Sequence, residues 1–288
     1  MGDLGNAVVQ GVMVGGLYAM FATGLALIFG VMKLVNIAHG DLIVLAGYIG
    51  LIVTQTLGVN PLVGLVFVVP IMALVGYGLQ RGLFNRTMGG DLMPPLLVSF
   101  GLSVILQNGF LALFSADNRR LQAGAFEVAS LRLTDAISIG VLPLAQLALA
   151  VLVIAGLQGL LYRTAIGRAF RAVSDDPQVA QLMGLDKRHV FGMAMGLSLA
   201  IVGLAGVLLA IRANFDPATG PTRLIFGFEA VIIGGLSSFW GTLAGGVILG
   251  VVQSVASLID PGLQVLAGHI VFLLVLAVRP YGLFGRPA

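Results

Sequence analysis

Residues 190–211 read VFGMAMGLSLAIVGLAGVLLAI, an unbroken apolar run between His189 and Arg212 with no ionisable side chain. Wound as an α-helix at 1.5 Å per residue, such a run reaches about 30 Å, the thickness of a bilayer's hydrocarbon core. The charges collect at its ends: Asp186, Lys187 and Arg188 before it, Arg212 after it. Working outward, the same pattern recurs at 7–29, 42–58, 61–80, 93–114, 138–161, 239–258 and 263–279, with a shorter apolar block at 225–236. Hydrophobic residues fill 58% of the 288 positions, charged ones only 9%, and mean hydropathy is +1.06. A soluble domain carries about 25% charge, so this chain has too little to cover a water-facing surface. The sequence predicts an all-α integral membrane protein. It is expected to be a polytopic bundle of about eight to nine transmembrane segments, some of them broken or re-entrant.

The connections fix the layout. Loops at 81–91, 115–137 and 162–189 hold most of the charge, and none is long enough to bury a core of its own. One membrane domain over residues 1–288 is therefore expected, with its driving chemistry supplied by a partner or an ion gradient. Placing 162–189 in the cytoplasm puts nine Lys/Arg inside and five outside, with Lys33 at the inner boundary. The positive-inside rule prefers that layout to its inverse. The N-terminus, 115–137 and 212–224 then lie outside, while 81–91 and the C-terminus lie inside. The start, MGDLGN, lacks the basic n-region of a cleaved signal peptide, so the first block is read as a permanent span. With no cysteine, disulfides and thiolate metal sites are unavailable, and no metal, cofactor or nucleic-acid partner is expected. Many of the 41 glycines sit inside the apolar blocks. Gly11/Gly15, Gly241/Gly245 and Gly246/Gly250 have the small-xxx-small spacing of close helix packing; helix breakage along a path is the other reading.

Three places interrupt the pattern. The first is KLVNIAHGD, Lys33 to Asp41. In the plain reading Gly40 turns the chain, Asp41 caps the next helix and Lys33 reaches the headgroups. In the functional reading a broken helix points its N-terminal amides at an anionic substrate group, with Asn36, His39, Gly40 and Asp41 along the route. The second is GGLSSFWG, Gly234 to Gly241. A glycine pair ends one short helix, Ser237 or Ser238 caps the next, and Glu229 lies just upstream. Glu229 is either bonded to a neighbouring helix or placed beside the pathway.

The third break is GRAFRAVSDDPQVAQLMGLDKRH, Gly167 to His189. Asp176 suits an N-cap, Pro177 the first helical position, Gly184 the C′ position, and Asp186 the cap of the following span. A short helix is thereby specified between two spans, surrounded by Arg163, Arg168, Arg171, Lys187 and Arg188. A solvated basic loop at anionic lipid is the plain reading; a docking element accounts better for the paired caps.

Arg171-Ala172, Ala180 and Gly184-Leu185-Asp186 resemble the cytoplasmic coupling loop of ABC importer permeases, whose wider pattern is EAA-x-x-x-G. Gln178 stands in place of its Glu and Val179 in place of its first Ala. Gly24–Gly47, GLALIFGVMKLVNIAHGDLIVLAG, resembles the N-terminal signature of branched-chain amino acid permeases of the LivH type. Residues 227–250, GFEAVIIGGLSSFWGTLAGGVILG, resemble the C-terminal signature of that group. The resemblance implies the permease subunit of an ATP-driven importer in a bacterial inner membrane. It implies a second, related permease chain, two cytoplasmic ATPases and an external binding protein as partners. It puts coupling on Gly167, Arg168, Arg171, Ala172, Ala180 and Gly184, and makes branched-chain or other hydrophobic amino acids the expected substrates. Urea, short amides, aromatic acids and sugars stay open. The chain's two lysines, Lys33 after Met32 and Lys187 after Asp186, cannot serve a Walker A loop, which needs Gly-Lys-Ser/Thr.

Two other classes remain at this point. A secondary transporter would use Asp41, Glu229, His39 or His269 as a proton relay. An intramembrane enzyme would need a catalytic constellation, and His39, His189 and His269 are scattered in sequence.

Overall fold

A long apolar run satisfies its backbone within its own segment in lipid by winding into a helix, and these runs fold that way here. The computed structural model describes residues 2–88, 91–134, 137–236 and 238–285. Among the described residues, seven helices are long and apolar enough to cross a membrane. They are α1 (Gly2–Met32), α2 (His39–Leu57), α3 (Pro61–Gly82), α4 (Met93–Phe114), α6 (Val141–Arg163), α9 (Lys187–Arg212) and α11 (Phe239–Ile259). Two shorter helices, α10 (Gly220–Gly234) and the apolar α12 (Leu263–Val278), cover the remaining blocks that the sequence placed in the bilayer. Among the remainder, α5 (Ala125–Val128) precedes a hairpin of β1 (Ser130–Thr134) and β2 (Ile137–Gly140), and α7 (Ala165–Asp175) and α8 (Pro177–Leu182) lie between α6 and α9. The hairpin corrects the all-helical reading of 138–140, where the alternation in SLRLT and ISIG gives a strand pattern. Asp135, Ser237 and Arg286 lie outside the described residues.

The chain divides into two compact units. One comprises Met1–Ala26, Gln122–Ile154 and Ile225–Ala288. Its packing follows from glycine. A Cβ on Gly15 would lie 2.5 Å from the Val247 Cα, and one on Gly11 2.5 Å from the Val251 Cα; in return, Gly246 faces the Gly15 carbonyl. The two small-xxx-small motifs of α1 and α11 thus meet, which is how helices associate without a hydrophobic driving force. Tyr18 Oη donates to Gln253 Oε1 at 2.7 Å across the same contact. The predicted stop at the glycine pair is present: α10 ends at Gly234, Gly235 takes φ +102°, and Ser238 caps α11 by accepting from the Gly241 amide at 3.0 Å. The chain end returns to this corner, with the Leu283 and Phe284 amides donating to the Ile233 and Gly234 carbonyls.

The other unit comprises Leu27–Leu121 and Ala155–Leu224, and α9 is its core. Small residues let α2 and α3 close on it: Gly76 sits under the Met195 carbonyl, and Gly206 sits against Ile43 and Ala46. One end is fastened by Tyr77 Oη to His189 Nδ1 at 2.9 Å and by Asn85 to the Arg188 carbonyl at 3.2 Å. At another, Arg119 and Phe215 exchange both backbone hydrogen bonds, and the Leu121 amide donates to the Ala210 carbonyl. These pairings hold Tyr77 and Asn85 to 188–189, and 119–121 to 210–215.

Candidate functional site

The break after α1 begins at Lys33, whose φ of +52° turns the chain out of the helix. Asn36, buried, then accepts the Ala38 amide on Oδ1 at 3.0 Å and starts α2 at His39. Asp41 was expected to cap α2, and it does not. It lies within the first turn, 1% exposed, and its carboxylate accepts Ser103 Oγ at 2.5 Å and Gln107 Nε2 at 3.0 Å. Asn36, being ahead of the helix, takes the turn-forming role instead.

Gly40 is buried where α10 begins. A Cβ there would land on the Gly220 carbonyl, and a Cβ on Gly220 would land on the Asp41 carboxylate. One carboxylate therefore stands at the N-termini of two helices, each carrying roughly +0.5 charge. Such an end favours an anion, and here the protein supplies its own. The place where a substrate carboxylate was expected is already filled.

The partners of Asp41 form a stripe that sequence reading passed over. Ser99, Ser103 and Gln107 are four residues apart on α4 and share one face. Ser99 Oγ accepts the Ile37 amide at 3.1 Å, so the stripe runs beside the break for about 12 Å. Three polar residues at helical spacing inside an apolar block were the available signal. Beyond Gln107 opens a cavity of about 280 Å³, lined by Gln107, Asn108, Leu111, Asp216, Pro217 and Ala218 among others. Tyr48 braces its neighbourhood, stacked on Phe114 with ring centroids 4.1 Å apart and edge-on to Phe215 at 5.0 Å.

Glu229 belongs to the first unit. It is 3% exposed and bonded to His269 Nδ1 of α12, the neighbouring-helix arrangement. Asn36, His39, Gly40 and Asp41 are thus brought together in one unit with the stripe, and Glu229 is held in a separate polar contact.

The segment between α6 and α9 is built by caps. Thr164 Oγ1 accepts the Gly167 amide at 3.1 Å and starts α7. Gly167, Phe170 and Val173 form its buried face, while Arg168, Arg171 and Ala172 are exposed. Arg171 lies over the Tyr162 ring at 5.1 Å. Asp176 caps α8 by accepting the Gln178 and Val179 amides at 2.8 and 3.0 Å. Gly184, at φ +87°, closes it, with the Leu185 amide donating to the Ala180 carbonyl in the Schellman pattern. Asp186 caps α9 through the Arg188 amide at 2.9 Å. A desolvation cost raises the Asp186 carboxyl, but the Arg188 and His189 amides and the Arg81 guanidinium outweigh it and hold it below the usual range. Ala180 is buried, whereas Val179, Leu182 and Met183 point out, 53%, 86% and 80% exposed. Sequence reading had weighed the basic and small residues and missed this apolar tip. Ser174 Oγ donates to the Gly30 carbonyl at 2.6 Å, tying α7 to the end of α1 just ahead of the break.

Spanning helices, a buried polar stripe beside a helix break, and a capped segment outside the spans define a polytopic helical membrane protein of the transport class. The family model described as "Branched-chain amino acid transport system / permease component" matches residues 7–278, and the chain belongs to that family. The resemblance read from the two terminal signatures is borne out. The chain is 28% identical to the high-affinity branched-chain amino acid transport system permease protein BraD of Pseudomonas aeruginosa, over 97% of this chain and 95% of that one. It is 29% identical to the probable branched-chain amino acid transport permease protein LivH of Methanocaldococcus jannaschii, over 98% and 94%. A solved structure, PsaBC from Streptococcus pneumoniae in complex with Fab, aligns over 97% of this chain and 92% of that one, with 14% identity and a TM-score of 0.48.

Proposed function

We propose that this chain is the membrane-spanning permease subunit of an ATP-driven importer for branched-chain or other hydrophobic amino acids. The observation that carries the reading is the segment 164–186. Three side-chain caps and a left-handed glycine fix its shape, Phe170 and Val173 anchor it, and an apolar tip is left uncovered. A solvated loop has no need of such definition; a surface that receives a partner does. Two cytoplasmic ATPases are the partners proposed for it, one on this chain and one on a second, related permease chain, with an external binding protein delivering substrate.

In this reading Gly167 and Ala180 shape the docking segment, and Arg168, Arg171, Ala172 and Gly184 lie on its outer side with the tip. The segment and the C-terminus face the cytoplasm. Asn36, His39, Gly40 and Asp41 border the route, with Glu229 as a further polar position along it, and the whole chain works as one membrane domain. Family membership and the names of the relatives support both the transport role and the amino-acid class.

The test is purification of the tagged chain in mild detergent, followed by mass spectrometry and uptake in proteoliposomes. Recovery of a second permease and Walker-A ATPases, with leucine uptake that needs ATP, is expected. A chain that purifies alone and accumulates leucine on a proton gradient would sink the proposal.

A further inference from the structure

We propose that the cavity beyond Gln107 is the outer receiving subsite for the substrate's ammonium group. The inference rests on the importer reading above and on its placing residues 212–224 outside.

The argument is one of donors and acceptors. Gln107 spends its Nε2 on Asp41 Oδ1 at 3.0 Å and Ser103 Oγ at 3.1 Å. Asn108 spends its Nδ2 on the Val104 carbonyl at 2.8 Å. These partners fix both amides with nitrogen inward, because a carboxylate and a carbonyl only accept. What remains is mostly oxygen: Gln107 Oε1, Asn108 Oδ1 and the second carboxylate oxygen of Asp216, beside one unused N–H on Asn108 Nδ2. Asp216 Oδ1 is already engaged by the Ala218 amide at 2.8 Å and Thr219 Oγ1 at 3.0 Å. The Asp216 amide donates to Thr219 Oγ1, and Pro217 has no N–H. These side chains and the 216–218 backbone therefore offer several acceptors and a negative charge against one spare side-chain donor, the second N–H of Asn108 Nδ2.

A primary ammonium has three N–H donors and no acceptor, which matches three oxygens with one charge among them. A carboxylate would meet one neutral N–H, that of Asn108, against the like charge of Asp216, and stays toward the open mouth. Leu111, Pro217 and Ala218 in the lining suit an aliphatic chain. At about 280 Å³ the cavity lies near the small end of ligand pockets, roughly 300–1,000 Å³. Gln107 joins this outer subsite to Asp41, so the solute's positive end would meet the start of the buried polar stripe.

The chain contains no cysteine, so an introduced thiol is the one label site on this chain, and labelling is read on this chain after it is separated from its partners. Ala218→Cys is made in the assembled importer and labelled in right-side-out membrane vesicles. The reagents are a cationic trimethylammonium methanethiosulfonate and its anionic sulfonate counterpart. Val128→Cys, at a position 81% exposed, is the reference. The cation-to-anion rate ratio should be several-fold higher at Ala218→Cys than at the reference, and Asp216→Asn should remove the excess. L-Leucine and isopentylamine should slow labelling, and 4-methylpentanoate should not.

Equal protection by 4-methylpentanoate, protection by sodium alone, or protection by the binding protein with none by leucine or isopentylamine would overturn the proposal. Labelling confined to inside-out vesicles would overturn it too. ATP-dependent leucine uptake is measured on the same membranes. Uptake without protection refutes the subsite and leaves the importer standing; protection without ATP-dependent uptake does the reverse.

Discussion

If the tip of α8 seats in an ATPase, the contact is carried by its apolar side chains and not by the arginines around it. Leu182 and Met183 are 86% and 80% exposed, so nearly their whole surface is available for burial. Fully burying such a side chain is worth about 1.5–3 kcal/mol, or about 3–6 kcal/mol for the two. At 1.4 kcal/mol per decade, the double variant Leu182→Ser/Met183→Ser should weaken ATPase binding by about 10²–10⁴-fold. Arg171 is exposed over Tyr162, and an exposed ion pair contributes about 0.2–1 kcal/mol. Arg171→Glu should therefore cost less than about tenfold. The assay is titration of purified ATPase onto the permease in nanodiscs, with a thermal melt showing that each variant remains folded. Neither serine removes a cap or a buried contact of α7 or α8, so the melting temperature should hold. Binding by the double serine variant within about threefold of the parent, alongside a large loss for Arg171→Glu, would refute the apolar docking reasoning.

Gly184→Asp should strain the left-handed turn at φ +87° by about 1–2 kcal/mol and loosen α8, lowering ATPase retention by about tenfold; unchanged retention in the titration above would count against the turn's role. Gly15→Leu brings a Cβ to 2.5 Å from the Val247 Cα, and the overpacking should cost about 1–3 kcal/mol or more, read as a lowered melting temperature in detergent. Asp41→Ala strands the Ser103 hydroxyl and the Gln107 amide at about 1–3 kcal/mol each, whereas Asp41→Asn keeps an acceptor, so its melt should fall less. The Asp186 carboxyl is held low in the folded chain, so its cap stabilises above the unfolded-state pKa and fades as pH falls through the folded-state value. Asp186→Asn should remove that acid-side dependence from the melting curve.

What was legible in the sequence was whatever is encoded locally. Asp176, Pro177, Gly184 and Asp186 each act on backbone within a few residues, and all four sit where their chemistry predicts. The Gly234–Gly235 stop is of the same kind, and the glycine motifs of α1 and α11 meet because each needs only a flat partner. The misreadings involve partners distant in sequence. Asp41 has the composition of a cap, and only the position of α4, 62 residues away, reveals that its carboxylate belongs to Ser103. The outward turn of Leu182 and Met183 depends on which face of α8 Ala180 buries, and so on the helices behind it. Glu229 was undecided for the same reason until α12 placed His269 against it.

On the proposed reading, the second unit shows how docking would reach the route. The docking segment and the break belong to the same unit, and Ser174 holds the Gly30 carbonyl, three residues before Lys33 turns the chain out of α1. Gly30 is exposed, and a Cβ placed on it would meet nothing within 4 Å, so that stretch of α1 has room to move. The far side of the break is different. Asn36, His39 and Asp41 are buried, and Gly40 and Gly220 meet without room for a methyl group. A displacement of α7 would therefore be taken up between Lys33 and Val35, where one side is loose, before it disturbed Asp41. Ser174→Ala removes the tie without touching the apolar tip or its caps. It should leave ATPase binding within about threefold of the parent while lowering leucine transported per ATP hydrolysed. An unchanged transport-to-hydrolysis ratio would mean that the break receives its motion by another path.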